Sequence, residues 1–490
     1  MRISRAQDEL GGRRRRDGHI DACDCAIRSQ TVIKYTPMAE KQSASPRHVM
    51  AVIGAATAGS EIARILADRG ALVIVFEQNP RPYGKIEDGL PRWHVKQRHD
   101  EYEEINKRLE HPNIEYVPLT RLGRDLDFED LRSRWGLSGI VLSHGAWRDR
   151  PLPVEGADRF VDRGLVYQNK LIYWFNHYLE KAYAGPRYKI TPGAIVVGGG
   201  LASIDVVKVL QIETTLGALK ARGIDGDMVT LEREGIEPVL AASGLKVADL
   251  GVAPCKLFYR RRVLDMPLSD IPADAPAKRA DALRQARAKI LEKAQRKFLF
   301  AFQELRAPHS LIVEGGACVG VNFSRTEVAD GQVRIAEDGG ESMRAKMTVS
   351  SIGSIPEPIP GIPQKGEVYT YADQKIGLLI DGPTTVFAAG NVLTGKGNIK
   401  DSLESGTEIG TRVAEAYLGL SNEQVDFAAG ARTDAARSAE NIAGAMDARP
   451  KLAPDIVASL LKRVHDRQQA VGFDGNYRGW IAKVTPADLQ

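Results

Sequence analysis

Apolar positions along the chain fall into short unbroken runs separated by turns and by stretches of helical spacing, the pattern of strands buried on both faces with helices covering them. In HVMAVIGAATAGSEIARILADRGALVIVFE, Val49 to Ile53 predict a strand, Gly54 a turn, Ser60 to Arg69 a helix, and Leu72 to Phe76 a second strand ending at Glu77. That is a βαβ unit. The order recurs in GAIVVGGGLASIDVVKVLQI, with a strand at Ala194 to Val197, a turn at Gly198 and Gly200, and a helix reaching about Gln211. Its second strand, Cys255 to Tyr259, comes late, and a short strand around Val229 followed by helical turns is expected to fill the interval. Thr385 to Ala388 predict one further buried strand.

Three longer stretches carry helical spacing. YQNKLIYWFNHYL, residues 167 to 179, places its aromatics in a core between domains, and residues 454 to 470 read as a helix near the end of the chain. Residues 278 to 302 contain no Gly or Pro and predict one long helix. Its expected apolar stripe is Leu283, Ile290, Ala294, Phe298 and Ala301, with Arg287 inside the stripe and snorkelling outward. Lys289, Lys293 and Arg296 gather on the opposite side.

Composition narrows the class. With 490 residues, 43% hydrophobic and 27% charged, the chain is too large for one compact domain and calls for two domains or one interrupted domain. A net charge of +4, from 67 basic and 63 acidic side chains, is only weak evidence for a polyanionic partner, and because the flanks of FYRRR lack an extended basic surface and soon bring Asp265, Asp270 and Asp274, no nucleic acid is expected. The four cysteines, at 23, 25, 255 and 318, make neither a disulfide framework nor a CxxC pair, so no metal site is expected and any redox chemistry belongs to a bound cofactor. The expected location is cytoplasmic. MRISRAQDELGGRRRR lacks the apolar run of a signal peptide, and no later stretch is apolar enough to span a bilayer, so no membrane is expected. Residues 1 to 47 read as a disordered extension in which Arg13 to Arg16 are a solvated charge run and Met38 is an alternative start.

The turns carry the candidate chemistry. Gly54 and Gly59 are the first and last glycines of a dinucleotide fingerprint, with Ala56 where the middle glycine is usual. Glu77, at the end of the second strand, can accept both hydroxyls of an adenosine ribose and would repel a 2'-phosphate. In the second unit Gly198, Gly200 and Ser203 occupy the fingerprint positions, and the late strand ends in Arg260, Arg261 and Arg262, whose guanidinium forks suit a 2'-phosphate. Arg233 is the rival anchor, flanked by Glu232 and Glu234. Gly390 opens a loop whose amides can approach a pyrophosphate, beside the uncharged side chain of Asn391.

From about residue 48 onward the chain resembles the adrenodoxin reductase type of ferredoxin-NADP(H) reductase, within a wider family that includes the small subunit of glutamate synthase. The resemblance rests on the Gly54 turn, Glu77, PRPYG ending at Gly84, SHGAWRDRPLPVEG at 143 to 156, AIVVGGGLASIDV, FYRRR, and SSIGSIPEPIPGIP at 350 to 363. It implies an α/β fold of two Rossmann-like domains, the NADP domain (151 to 350) inserted in an FAD domain (48 to 150 and 351 to 490). Arg260 and Arg261 are then the pair on the 2'-phosphate, and GKGNI at Gly395 to Ile399, including Gly397 and Asn398, lies against the flavin where the family more often has Gly-Pro-Thr-Gly. Lys396 is either an exposed loop lysine or a charge beside the flavin. His94 in LPRWHVK either passes a proton toward flavin N5 or is structural, and Tyr477 and Trp480 either close the flavin environment or pack in the core.

The implied function is an FAD-dependent oxidoreductase passing electrons between NADPH and a ferredoxin-like acidic iron-sulfur protein, which the basic side of the 278 to 302 helix would steer. The alternatives are direct reduction of a small organic acceptor, or electron input to a larger complex, the latter weakened by the absence of N-terminal cysteine clusters.

Overall fold

The computed structural model describes residues 47–272, 274–420 and 449–486, which belong to one compact unit. The extension expected at 1 to 47, with Arg13 to Arg16, Cys23, Cys25 and Met38, lies outside the described residues apart from Arg47.

The unbroken apolar runs become strands because only pairing on both edges and cover on both faces satisfy them. β1 (Val49–Ile53) and β2 (Leu72–Phe76) are buried throughout and joined by α1 (Thr57–Asp68). After α2 (Lys85–Asp88), α3 (Val95–Leu109), β3 (Ile114–Val117) and β4 (Gly139–Leu142), the chain leaves through β5 (Arg148–Asp149). A second lobe follows: β6 (Leu165–Tyr167), α4 (Gln168–His177), β7 (Ile195–Gly198), α5 (Leu201–Lys220), β8 (Lys256–Phe258), α6 (Ala277–Phe298) and β9 (Ala301–Gln303). An antiparallel insertion of β10 (Arg306–Glu314), β11 (Ala317–Ala329), β12 (Gln332–Ile335) and β13 (Glu341–Arg344) precedes β14 (Thr348–Ser351). The chain returns through β15 (Ser354–Ile355), then β16 (Leu378–Ile380), β17 (Thr385–Ala388), α7 (Ile399–Arg412), α8 (Pro454–Ala470) and α9 (Tyr477–Val484).

The first sheet has the order β16-β17-β4-β1-β2-β3, parallel except for β16 at its edge. The second, β6-β14-β7-β8-β9, is parallel throughout. This is an α/β fold of two Rossmann-like lobes. Because β17 pairs with β4, the second lobe interrupts the first, and the crossing strands β5 and β15 pair antiparallel where the chain passes between the lobes. In the first lobe α7 packs on α1 through its glycines: a Cβ on Gly406 would lie 2.9 Å from the Ala58 carbonyl oxygen, so only hydrogen permits the approach.

Five expectations change. Helix α1 starts at Thr57, ahead of Ser60, and α5 continues past Gln211 to Lys220. Val229 is helical, in Met228–Glu234, because Asp227 accepts the Thr230 amide at 2.7 Å as an N-cap and the segment buries Leu231 alone, where a strand would bury alternate residues. The stripe of α6 is shifted: Ile290 is exposed while Leu291 is buried, and Ala301 belongs to β9 because Leu299 ends the helix at a φ of 57°. Arg287 does not snorkel outward. Its guanidinium binds the carbonyls of Ser269 and Leu264, anchoring the loop that follows β8 to the helix.

Candidate functional site

Gly54 turns the chain at a φ of 95°, and a Cβ there would lie 2.7 Å from the Cα of His144, at the end of β4. A Cβ on Gly59 would lie 1.8 Å from the Gly54 carbonyl oxygen, so both glycines are required by the packing of α1 on the sheet. Ala56 takes up room that Gly84 concedes: a Cβ on Gly84 would come within 2.9 Å of the Ala56 methyl. Glu77 is buried beside this turn, its carboxylate accepting the amides of Ala55 and Asn79, both at 2.9 Å. Burial pushes its pKa up to about 7 against the pull of those amides.

Across the turn, Gly390 donates its amide to Ser405 Oγ at 2.9 Å. Asn391 has a buried Oδ1 with no hydrogen-bond partner among the described residues, and its amide faces Gly397, where a Cβ would lie 3.2 Å away. Asn398 caps α7 by accepting the Asp401 amide at 2.7 Å, and Ile399 opens that helix half-buried. Lys396 is exposed, its Nζ 3.8 Å from Asp401 Oδ1. Trp480 lies in the core: its indole N–H donates to the Pro80 carbonyl at 2.8 Å and its ring packs edge-on against Phe473. Tyr477 donates to Asn106 Oδ1 at 2.8 Å. Trp480 thus holds the start of the Pro80 to Gly84 loop, and Tyr477 shares Asn106 Oδ1 with the Tyr83 hydroxyl of that loop.

In the second lobe, Gly198 is crowded by Ser203 and by the Ser351 carbonyl, to which the Ser203 hydroxyl donates at 3.0 Å. Ser203 thus ties α5 to β14. A Cβ on Gly199 would lie 2.1 Å from the ring of Tyr259, whereas one on Gly200 would meet nothing within 4 Å. The open position is Gly200. Beyond β8 the chain bends at Arg260 and Arg261. The pair nonetheless separates: Arg261 donates to the Gly331 carbonyl at 3.0 Å and Arg262 to Val328 at 2.9 Å, both in the inserted sheet. Arg260 is exposed and makes no side-chain hydrogen bond or ion pair among the described residues. Arg233 is neutralised by Glu234 at 2.9 Å.

The lobes meet at His94, which leads into α3. Charged groups from α5 and the following helix face it: Asp205, Lys208 and Glu232. Lys208 Nζ lies 3.0 Å from Glu232 and 3.4 Å from Asp205, over the buried ring of Trp93 at 4.8 Å. Burial lowers the His94 pKa, with Asp205 opposing, and raises that of Asp205, with Lys208 opposing. Sequence reasoning missed this trio, although a charge at Asp205 and again at Lys208 within the apolar run ASIDVVKVLQI was a visible signal. It also missed Lys85, whose Nζ donates to Asn169 Oδ1 at 3.2 Å and Ser354 Oγ at 3.0 Å in the wall of a cavity of about 480 Å³ beside the crossing strand β5. Burial lowers the Lys85 pKa to about 8 and raises that of neighbouring Asp149 to about 6.

No family model matches the chain. It is 25% identical over 353 residues to the mitochondrial NADPH:adrenodoxin oxidoreductase of Arabidopsis thaliana, covering 66% of this chain and 70% of that protein. It is 29% identical over 161 residues to the glutamate synthase [NADPH] small chain of Bacillus subtilis, of which it spans only 31%. Among solved structures, Mycobacterium tuberculosis FprA in complex with NADPH superposes with a TM-score of 0.60 at 16% identity, over 86% of this chain and 91% of that one. The shared fold and the several enzymes among these relatives support catalytic activity of the same general type. The expected cytoplasmic location is overturned by the Arabidopsis relative, which is mitochondrial. A shortage of cysteines excludes a disulfide framework but does not single out the cytosol.

Proposed function

We propose that this chain, which belongs to the broad superfamily of FAD- and NAD(P)-binding oxidoreductases, passes electrons between NADPH and a ferredoxin-like acidic iron-sulfur protein by way of FAD. The observation that carries the reading is the contrast between two equivalent strand ends: β2 runs into the carboxylate of Glu77, and β8 into Arg260. A free ribose 2'-hydroxyl suits the first and a 2'-phosphate the second. The unpartnered Asn391 Oδ1 supports a ligand at the first turn, and the open face of Gly200 supports one at the second.

In this reading residues 48 to 150 and 351 to 490 hold FAD through the Gly54, Ala56, Gly59 turn, Glu77, Gly84, Gly390, Asn391 and the Gly397 to Ile399 segment. Residues 151 to 350 hold NADPH through Gly198, Gly200 and Arg260, with Ser203 and Arg261 positioning the turn and the bend. When bound, FAD supplies acceptance of a hydride from NADPH and delivery of electrons one at a time. The protein's own task is alignment and exclusion of water. His94, with its lowered pKa, holds or releases a proton at the lobe boundary, and Lys208, shared between Asp205 and Glu232, favours the charge of Asp205 facing it while Glu232 opposes it. Lys396 sits on the exposed rim. Trp480, braced on Pro80, supports the loop rather than touching a ligand.

The partner's acidity would answer the exposed Lys289, Lys293 and Arg296 on α6, a steering effect that salt weakens. The name of the Arabidopsis relative supports an iron-sulfur partner of the adrenodoxin kind. An anaerobic screen of the purified, flavin-loaded protein with NADPH against ferredoxins, quinones and thiols tests the reading. Reduction of a ferredoxin, slowing as ionic strength rises, is expected. Turnover with a small organic acceptor and with no iron-sulfur protein would replace it.

A further inference from the structure

We infer that the cavity beside β5 binds a free α-amino acid with an aromatic side chain, its carboxylate on Lys85 and its ammonium on Asp149. The inference is independent of the flavin reading, since no residue of either glycine turn or of the Gly390 loop lines this space. At about 480 Å³ the cavity falls in the range of roughly 300 to 1,000 Å³ that small-molecule sites occupy. Lys85 lines it from α2 and Asp149 from β5. The Lys85 ammonium has three N–H donors and directs two of them to uncharged oxygens, those of Asn169 and Ser354, which leaves one. Asp149 accepts the Asn169 amide at 3.1 Å, so Asn169 stands as an uncharged spacer between the two.

Neither charge makes an ion pair among the described residues. The other charged groups of the wall are answered: Asp88 by His177 at 2.9 Å and Lys170 by Asp162 at 2.8 Å, while Arg148 and Asp158 are exposed and opposite in sign. Uncompensated charge is thus confined to Lys85 and Asp149. Burial lowers the Lys85 pKa to about 8, with Asp149 and Asp88 opposing, and raises that of Asp149 to about 6, with the Asn169 amide and Lys85 opposing. A zwitterion answers both charges at once, whereas a ligand with one charge leaves the other without a partner. The rest of the wall is apolar and flat. The Trp147 ring lies under Lys85, with Nζ 5.7 Å from its centroid, and Tyr173 is 42% exposed, a face that an aromatic side chain would cover.

The test is isothermal titration of the purified full-length protein with L-phenylalanine at neutral pH, with and without FAD. Binding is expected, and with the same affinity in both. Phenylpropionate and phenethylamine, each lacking one of the two charges, are expected to bind about tenfold to a hundredfold more weakly, as loss of a charged hydrogen bond implies. This comparison needs no variant. Lys85→Met keeps the stem without the charge, and should weaken phenylalanine by a similar factor while leaving phenethylamine no weaker. Asp149→Asn should weaken phenylalanine and leave phenylpropionate no weaker. Wild type that does not bind phenylalanine, or binds a singly charged analogue as tightly, overturns the inference, as do folded variants that lose all three ligands equally. Phenylalanine binding abolished by FAD would assign the cavity to the flavin instead. Failure of FAD to bind in the same titrations would sink the flavin reading and leave this site standing.

Discussion

Nε2 of His177 lies 2.9 Å from Oδ1 of Asp88, joining the end of α4 in the second lobe to α2 in the first. Nδ1 of the same ring lies 2.6 Å from Glu180, so both nitrogens face carboxylates and the ring is an imidazolium. Next to it Asn176 donates to the Glu87 and Leu90 carbonyls and accepts the Arg92 amide at 2.9 Å. These bonds set the angle at which α4 meets the segment leading to His94.

The first prediction concerns that latch. Burial alone would lower the His177 pKa, but hydrogen bonds and charge from Asp88 and Glu180 raise it to about 9. A pKa raised above the unfolded value stabilises fully below about pH 6.5 and ceases to do so as pH rises through about 9. Urea unfolding at pH 7 should show His177→Ala less stable by about 3 kcal/mol, with the difference shrinking toward pH 10. A deficit that does not change between pH 7 and pH 10 would refute the ionic account.

Glu77 should trade stability for binding. Its pKa of about 7, raised by burial, means that folding favours the protonated form and that the fully ionised group is a net cost above pH 7. In flavin-free protein at pH 8, Glu77→Gln is therefore expected to raise stability by about 2 kcal/mol, with no gain at pH 4. FAD affinity should fall in the same variant. Thermal melts at both pH values and a flavin titration check the two halves separately.

The adjacent glycines of the second turn should fail differently. Gly199→Ala places a methyl against Tyr259 and should lower the melting temperature with or without nucleotide. Gly200→Ala has room within the protein and should fold normally yet lose NADP(H) affinity. Comparable melting losses in both variants would remove the case for a ligand at Gly200.

Arg260 and Arg261 should also separate. Arg260→Ala is expected to raise KM for NADPH about tenfold to a hundredfold, as loss of a charged hydrogen bond implies, and to leave KM for NADH nearly unchanged. Arg261→Ala gives up its bond to Gly331 and should chiefly loosen the inserted sheet, with a smaller effect on NADPH. Steady-state kinetics with both nucleotides, alongside proteolysis of the 306 to 344 segment, distinguishes the two roles.

What the sequence by itself determined was local. The runs at 49 to 53 and 72 to 76 admit no conformation but a buried strand, Gly54 and Gly59 are demanded by the turn between them, and the charge contrast of Glu77 with the arginines after β8 follows from the strand ends. Where a pattern leaves phase or direction free, tertiary contacts decided. Arg287 lies on the buried side of α6 because the loop at Leu264 to Ser269 brings carbonyls to it, and Ile290 is exposed because the stripe runs through Leu291. Val229 turns helical at an Asp227 cap. Arg261 and Arg262 take carbonyls of the later inserted sheet as partners, and the Trp480 indole takes the Pro80 carbonyl. The trio facing His94 and the His177 latch join residues far apart in the chain. The physical reason is the same in each case: burial and turn geometry act over a few residues, whereas a charge or hydrogen bond takes its partner from whatever the packed lobes bring within about 3 Å.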